Sequence, residues 1–94
     1  MVKIEVDGGY YLFKLNDILK QREISKNTLM RETNTDFKVI QRIITGELTR
    51  LDIIVIARIC NFLNCKISDI IEYYPTLIKE IEEVKWYFFL FRAN

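Results

Sequence analysis

The stretch from Ser25 to Ile43, SKNTLMRETNTDFKVIQRI, decides the fold of this chain. It contains two short amphipathic segments at helical spacing, separated by a polar break at residues 33–36. Ser25 and Asp36 are residue types that cap helix N-termini, and Asn34 accepts the left-handed conformation that ends a helix. We therefore predict two adjacent helices whose outer sides carry polar and basic side chains.

The second of these helices is the more informative one. Its inner positions, Val39, Ile40, Ile43 and Ile44, are apolar and are predicted to hold it to a core. Gly46 is predicted to end it, because glycine adopts the left-handed C-terminal conformation without strain.

Further helices are predicted on both sides of this pair. A first helix begins near Leu15, with Asn16 or Asp17 as its cap, and ends near Glu23. Asp52 caps a fourth helix, closed by Asn64, with mostly buried inner positions at Ile53, Ile56, Ala57, Ile59, Cys60 and Leu63. Ser68 caps a short fifth helix, DIIEYY, which stops before Pro75 because the residue preceding a proline disfavours the helical conformation.

The two ends of the chain differ from this helical pattern. VKIEV alternates at period two and is followed by DGG and YYLF, which predicts a small β-hairpin within residues 1–14. In residues 76–94 the apolar side chains favour a helix–helix seam, although KWYFFLF also suits a strand that joins the hairpin. We predict a mainly α fold: an N-terminal hairpin (1–14), a five-helix domain (15–75) and an aromatic C-terminal extension (76–94) for packing or dimerisation.

Composition excludes several classes of function. The 94 residues contain no His, only two Cys, no Gly-rich phosphate-binding loop and no run of about 18 apolar residues. Cys60 and Cys65 are interpreted as reduced thiols that pack as small apolar groups. We therefore expect no enzyme, no metal, no cofactor and no membrane span, and no small-molecule ligand is evident. The N-terminus lacks the features of a signal peptide, so we expect a cytoplasmic protein.

Charge is distributed unevenly along the chain, although the net charge is only +1. Residues 20–50 contain seven Lys or Arg against four acidic residues, whereas the remainder has a small acidic excess. A local basic excess around two polar helices indicates a polyanion as the partner of that surface.

Two helices joined by a turn of three or four residues have the geometry of a helix-turn-helix. Between about Lys14 and Tyr73 the chain resembles the Cro/C1-type helix-turn-helix family, also called the XRE family, of small phage and bacterial transcriptional regulators. The resemblance rests on an ordered set of segments: IS..TL, IQRIITGE, LDIIVIARICNFLNC and SDIIEYY.

The resemblance implies a role for particular residues. Ser25 and Lys26 meet a DNA phosphate, and Asp36 caps the recognition helix. Base reading falls to Phe37, Lys38, Gln41 and Arg42. Thr45, Thr49 and Arg50 grip the adjacent DNA backbone. A homodimer is expected, because one recognition helix covers few base pairs and two-fold pairing places half-sites about one helical turn apart.

Some residues depart from the family pattern. Met30 stands where alanine is usual at the crossing of the two helices, and Asn34 replaces the common turn glycine. Asp36 and Glu47 place negative charge near the expected DNA, and Phe37 is apolar where polar residues predominate. Two functions follow: a dimeric repressor that binds double-stranded DNA, or an anti-repressor or antitoxin-like protein-interaction module that keeps the fold without reading DNA.

Overall fold

The computed structural model describes residues 1–75. Their order combines an N-terminal hairpin, four α-helices, one 3-10 turn and a third strand. The elements are β1 (Val2–Val6), β2 (Gly9–Phe13), α1 (Leu15–Gln21), α2 (Lys26–Thr33), α3 (Phe37–Thr45), α4 (Ile53–Leu63), the 3-10 turn (Ile67–Asp69) and β3 (Ile71–Tyr74).

The predicted hairpin is present. Val2 pairs with Phe13 and Val6 with Gly9 in an antiparallel register. Asp7 and Gly8 connect the strands with φ values of 54° and 83°, the left-handed conformations that a tight hairpin turn requires.

The predicted fifth helix is wrong. Ile67–Asp69 forms a single 3-10 turn, and Ile71–Tyr74 forms β3, which pairs antiparallel with β2 in a sheet of order β1-β2-β3. Ser68 does not cap this turn; the Asp69 carboxylate accepts a hydrogen bond from the Lys66 N–H at 2.8 Å. The strand is favoured because β2 offers cross-strand partners that a six-residue helix lacks, including a Tyr10–Tyr74 stack with ring centroids 5.2 Å apart.

The predicted aromatic C-terminal extension, residues 76–94, lies outside the described residues. Within residues 1–75, the third strand of the sheet is β3.

The first helix starts differently from the prediction. Lys14 is its N-cap residue and makes no side-chain capping bond, so neither Asn16 nor Asp17 acts as the cap. The Asp17 carboxylate instead accepts a hydrogen bond from the N-terminal amine at 3.2 Å. The Lys14 N–H donates to the Ile70 carbonyl at 2.7 Å, which ties the start of α1 to the residue preceding β3.

The other predicted helix boundaries are confirmed. Ser25, Asp36 and Asp52 each accept a backbone N–H of the first turn of α2, α3 and α4 respectively. Left-handed residues end the same three helices, namely Asn34, Gly46 and Asn64. Gly46 has φ 78°, and the sheet packs so closely on it that a Cβ atom would lie 2.7 Å from the Ile4 side chain.

The core lies between the inner face of the sheet and the four helices. Its fully buried side chains come from α1, α2, α3, α4 and the residue before β3: Leu15, Leu19, Leu29, Ile40, Ile59, Leu63 and Ile70. Ile56 is also buried, as predicted, and Cys60 is half-buried. The burial predicted for Ile53 and Ala57 is wrong, since Ile53 is 79 % exposed and Ala57 is exposed as well. Only one side of α4 contacts the core, and these two residues lie on the other side.

Candidate nucleic-acid interface

The α2–α3 pair is held rigidly by its inner side chains. Leu29 of α2 and Ile40 of α3 are fully buried, and Met30 packs against the core as a half-buried residue. The Thr35 N–H donates to the Met30 carbonyl at 3.0 Å, and the Thr33 hydroxyl donates to the Leu29 carbonyl at 2.6 Å. A three-residue connection, 34–36, therefore joins the two helices, and the N–H groups of Asn34 and Thr35 bond back to α2.

The outer side of α3 carries a continuous stripe of side chains. Phe37, Gln41 and Thr45 follow each other at steps of four, and Lys38 and Arg42 lie beside them, so all five share one side of the helix. Lys38 and Arg42 are exposed, and the Phe37 side chain is 41 % exposed. The opposite side of α3 is buried, which leaves this stripe as the protruding surface of the pair.

Two predicted phosphate contacts at the start of α2 are already hydrogen-bonded within the protein. The Ser25 hydroxyl accepts from the Thr28 N–H at 3.0 Å and lies 2.8 Å from the Thr28 hydroxyl. The Lys26 ammonium donates to the side-chain oxygen of Gln41 at 3.2 Å. This Lys26–Gln41 bond is not evident from the sequence, because the two residues are fifteen positions apart on different helices.

An open groove of about 800 Å³ lies between α3 and the start of α4. Three of the predicted contact residues, Arg42, Thr49 and Arg50, line it together. Glu47 and Asp52 line the same groove, so its basic character is offset by two carboxylates. The Asp52 carboxylate is engaged as the cap of α4, whereas the Glu47 side chain is exposed.

Thr45 occupies the end of the stripe beside this groove. Its hydroxyl donates to the Arg42 carbonyl and accepts from the Glu47 N–H, both at 3.4 Å. Thr45 therefore orders the start of the loop that carries Thr49 and Arg50.

A second open groove, of about 500 Å³, lies on the other side of the turn between α2 and α3. Asn27 and Arg31 line it with the capping residue Asp36, and Arg31 was not among the predicted contacts. Asn27 and Arg31 are both exposed and lie one helical turn apart on α2. The four-residue spacing of Asn27 and Arg31 in KNTLMR could have indicated from the sequence that they share one side of α2.

Three further features of the described residues concern a reactive thiol, a metal site and a membrane span. Burial, and the neighbouring thiol of Cys60, raise the pKa of the Cys65 thiol, so it stays protonated at neutral pH. Within residues 1–75 no three His, Cys, Asp or Glu side chains cluster as metal ligands do. No helix of the same residues is long and apolar enough to cross a membrane.

Two capped helices joined by a three-residue turn, with the second exposing a polar stripe, define a helix-turn-helix domain. The family model of the Cro/C1-type helix-turn-helix DNA-binding domain matches residues 14–76, and the chain belongs to this family. The predicted family resemblance is thereby confirmed.

One solved structure supports the same assignment. The chain is similar to the crystal structure of the transcriptional regulator VanUg, with 26 % sequence identity and a TM-score of 0.59 over 77 % of this chain and 95 % of that chain. None of the curated proteins compared with the chain matches it.

Proposed function

We propose that this protein is a transcriptional regulator that binds a specific sequence of double-stranded DNA as a homodimer and represses transcription. The observation that carries the proposal is the exposed stripe on α3, which continues into the groove lined by Arg42, Thr49 and Arg50. An α-helix fits the major groove of B-DNA, and the proposal places α3 there with the stripe toward the base edges. Membership of the DNA-binding family and the likeness to VanUg support it.

The proposed base-reading residues are Phe37, Lys38, Gln41 and Arg42. The guanidinium of Arg42 and the ammonium of Lys38 are donors that favour the O6 and N7 acceptors of guanine, and the Phe37 ring is suited to a thymine methyl group. Gln41 lies between Phe37 and Thr45 on the same side of α3, so in the proposed complex it faces the base edges of the DNA major groove.

The proposed phosphate contacts frame α3 on two sides. Ser25 and Lys26 lie at the N-terminus of α2, where free N–H groups and the helix dipole attract an anion. Thr45, Thr49 and Arg50 act at the other end of α3. Such contacts hold the register of the protein on the duplex without carrying sequence information.

Repression is the proposed mode of action because binding to DNA is sufficient for it. A dimer bound over a promoter excludes other proteins by occupancy alone. Two copies double the contacted sequence and place half-sites about 34 Å apart.

The deciding experiment is selection from a random duplex pool by the purified chain, at low and then moderate salt. We expect enrichment of a two-fold symmetric motif, with loss of preference at one position of each half-site in Arg42→Ala. Lys3→Ala, an exposed cation on β1, is the matched control and should leave the motif unchanged. Failure to enrich any motif at either salt concentration would exclude sequence-specific reading.

The exposure of Phe37 favours a second candidate function, a protein-interaction module of the anti-repressor or antitoxin-like type. An apolar ring that is 41 % exposed at the start of α3 suits a protein partner as well as a thymine methyl. Salt separates the two, because DNA affinity falls steeply as salt rises, whereas an apolar protein interface changes little.

A further inference from the structure

The start of α4 presents apolar side chains to solvent. Ile53 is 79 % exposed, Ile54 60 % and Leu51, just before the helix, 40 %. Ala57 is exposed one turn further along. These four residues, here called the α4 face, lie close together along the chain and outside the core, and exposed apolar patches mark interaction surfaces.

The α4 face combines bulky and small side chains at helical spacing. Ile53 and Ala57 are four residues apart and therefore project from the same side of the helix, one bulky and one small. If two α4 helices pack antiparallel about a two-fold axis at the level of Val55, each Ile53 lies opposite the partner's Ala57. Large and small side chains then interdigitate twice in one symmetric interface.

The charges around the α4 face fit the same arrangement. The Asp52 carboxylate accepts from the N–H groups of Ile54 at 2.9 Å and Val55 at 3.4 Å, which draws it over the first turn on the exposed side. Arg58 is exposed on that side, and no carboxylate of residues 1–75 forms an ion pair with it. Asp52 and Arg58 are equally far from Val55 along the chain, so the two-fold axis places each Arg58 level with the partner's Asp52.

The α4 face lies next to the loop that carries the proposed DNA-backbone contacts. Leu51 directly follows Thr49 and Arg50, the proposed backbone contacts, and lines the same groove as Arg42. A second copy of this chain is therefore the occupant that the surroundings of the patch favour.

We propose that the α4 face is the interface of the homodimer, formed by antiparallel packing of α4 against α4 of a second copy. The proposal rests on the dimeric DNA-binding function proposed above and adds the surface that makes it dimeric.

Sedimentation equilibrium of the full chain without DNA tests the interface. Ile54→Lys sets an ammonium into the patch beside Arg58 and should raise the dimer dissociation constant about a hundredfold. Ile67→Lys is the matched control, because Ile67 is 53 % exposed in the 3-10 turn and lies outside the patch. We expect the control to dimerise like the unmodified chain, and both variants to keep its circular dichroism spectrum.

A second variant keeps the test decisive if Ile54→Lys fails to fold. Arg58→Glu changes an exposed side chain only, sets two carboxylates against each other across the axis, and should weaken the dimer about tenfold, less at high salt. A monomeric unmodified chain, or a dimer unaffected by both substitutions, would overturn the proposed interface. If the unmodified chain is monomeric and Ile54→Lys lowers its thermal stability, the proposed interface is also overturned, because residues 76–94 of the same chain would then cover the α4 face.

The selection experiment on the unmodified chain separates this proposal from the proposed function. If a two-fold motif is enriched and the variants still dimerise, the proposed interface is refuted and the proposed DNA binding is supported. If the variants become monomeric and no motif is enriched, the proposed interface is supported and the proposed sequence-specific DNA binding is refuted.

Discussion

The Lys26 ammonium donates a hydrogen bond to the side-chain oxygen of Gln41, with the two atoms 3.2 Å apart, and so joins the first turn of α2 to the outer stripe of α3. The bond uses one of the two lone pairs of the Gln41 side-chain oxygen and does not involve its NH₂ group. A glutamine that reads adenine in the usual bidentate way needs both groups. For the proposed base-reading role of Gln41, we therefore expect Lys26 to compete with adenine for the Gln41 side-chain oxygen, in addition to its proposed phosphate contact.

We expect Lys26→Met to change base preference at the position read by Gln41. In the unmodified chain the free NH₂ group should favour an acceptor such as purine N7 or guanine O6, and the variant should shift toward adenine. Selection with both proteins from the same duplex pool measures the change. Lys20→Met, which alters an exposed residue at the end of α1, should leave the preference as it is. A uniform loss of affinity in Lys26→Met, with no change of preference, would leave only the phosphate contact.

Arg50→Ala should weaken binding to all sequences alike. Arg50 is exposed at the rim of the groove shared with Arg42, and its proposed partner is a phosphate, which is the same at every base pair. The slope of log affinity against log salt should become shallower by about one for each phosphate that the variant dimer no longer neutralises. Titration of fluorescent specific and random duplexes over a series of salt concentrations measures both effects. A change confined to the specific duplex would instead make Arg50 a base reader.

Asp36 has two separable roles that two substitutions distinguish. Its carboxylate accepts from the Lys38 N–H at 3.2 Å and caps α3, so Asp36→Ala should lower the free energy of unfolding by about 1 kcal/mol. Asp36→Asn retains a capping oxygen and should be close to the unmodified chain in a urea titration. The same Asn variant removes a negative charge beside the proposed DNA surface and should bind DNA more tightly at low salt. Equal losses of stability in both variants would show that the charge, and not the cap, stabilises α3.

Gly46→Ala should destabilise the domain by about 2 kcal/mol. The substitution strains a residue with φ 78° and drives its Cβ toward Ile4 and Phe13, at 2.7 and 3.0 Å. Gly8→Ala is the control, because Gly8 also has a positive φ but is exposed in the hairpin turn. Chemical denaturation of both variants should show the larger loss for Gly46. Equal losses would mean that the sheet shifts without cost and that backbone strain alone matters.

Local sequence signals predicted the helices that surround the proposed interface. Ser25, Asp36 and Asp52 cap, and Asn34, Gly46 and Asn64 terminate, because capping and left-handed conformations depend on side chains within three residues. The inner and outer sides of α3 also followed from its own periodicity. The base-reading and phosphate roles of the stripe remain predictions.

The predictions failed where the local structure depends on a contact with residues that are distant in the sequence. DIIEYY has helical spacing, yet β2 recruits it as a strand through Tyr10 and Tyr11, which lie more than sixty residues earlier in the chain. The same holds for the start of α1, where the Lys14 N–H finds the Ile70 carbonyl and no side-chain cap is needed.

The sequence by itself determined the family, the α2–turn–α3 unit and the side of α3 that faces outward, since each depends on residues close together along the chain. Only the tertiary structure decided that Lys26 holds Gln41, that Arg42 and Arg50 share a groove, and that Ile53 and Ile54 remain outside the core. The first relationship depends on how α2 packs against α3, and the other two depend on how α4 packs against the rest of the domain. Apolar residues in a run such as IIVIARIC are equally compatible with a core or with an interface, and only the number of neighbouring elements that contact the helix separates the two.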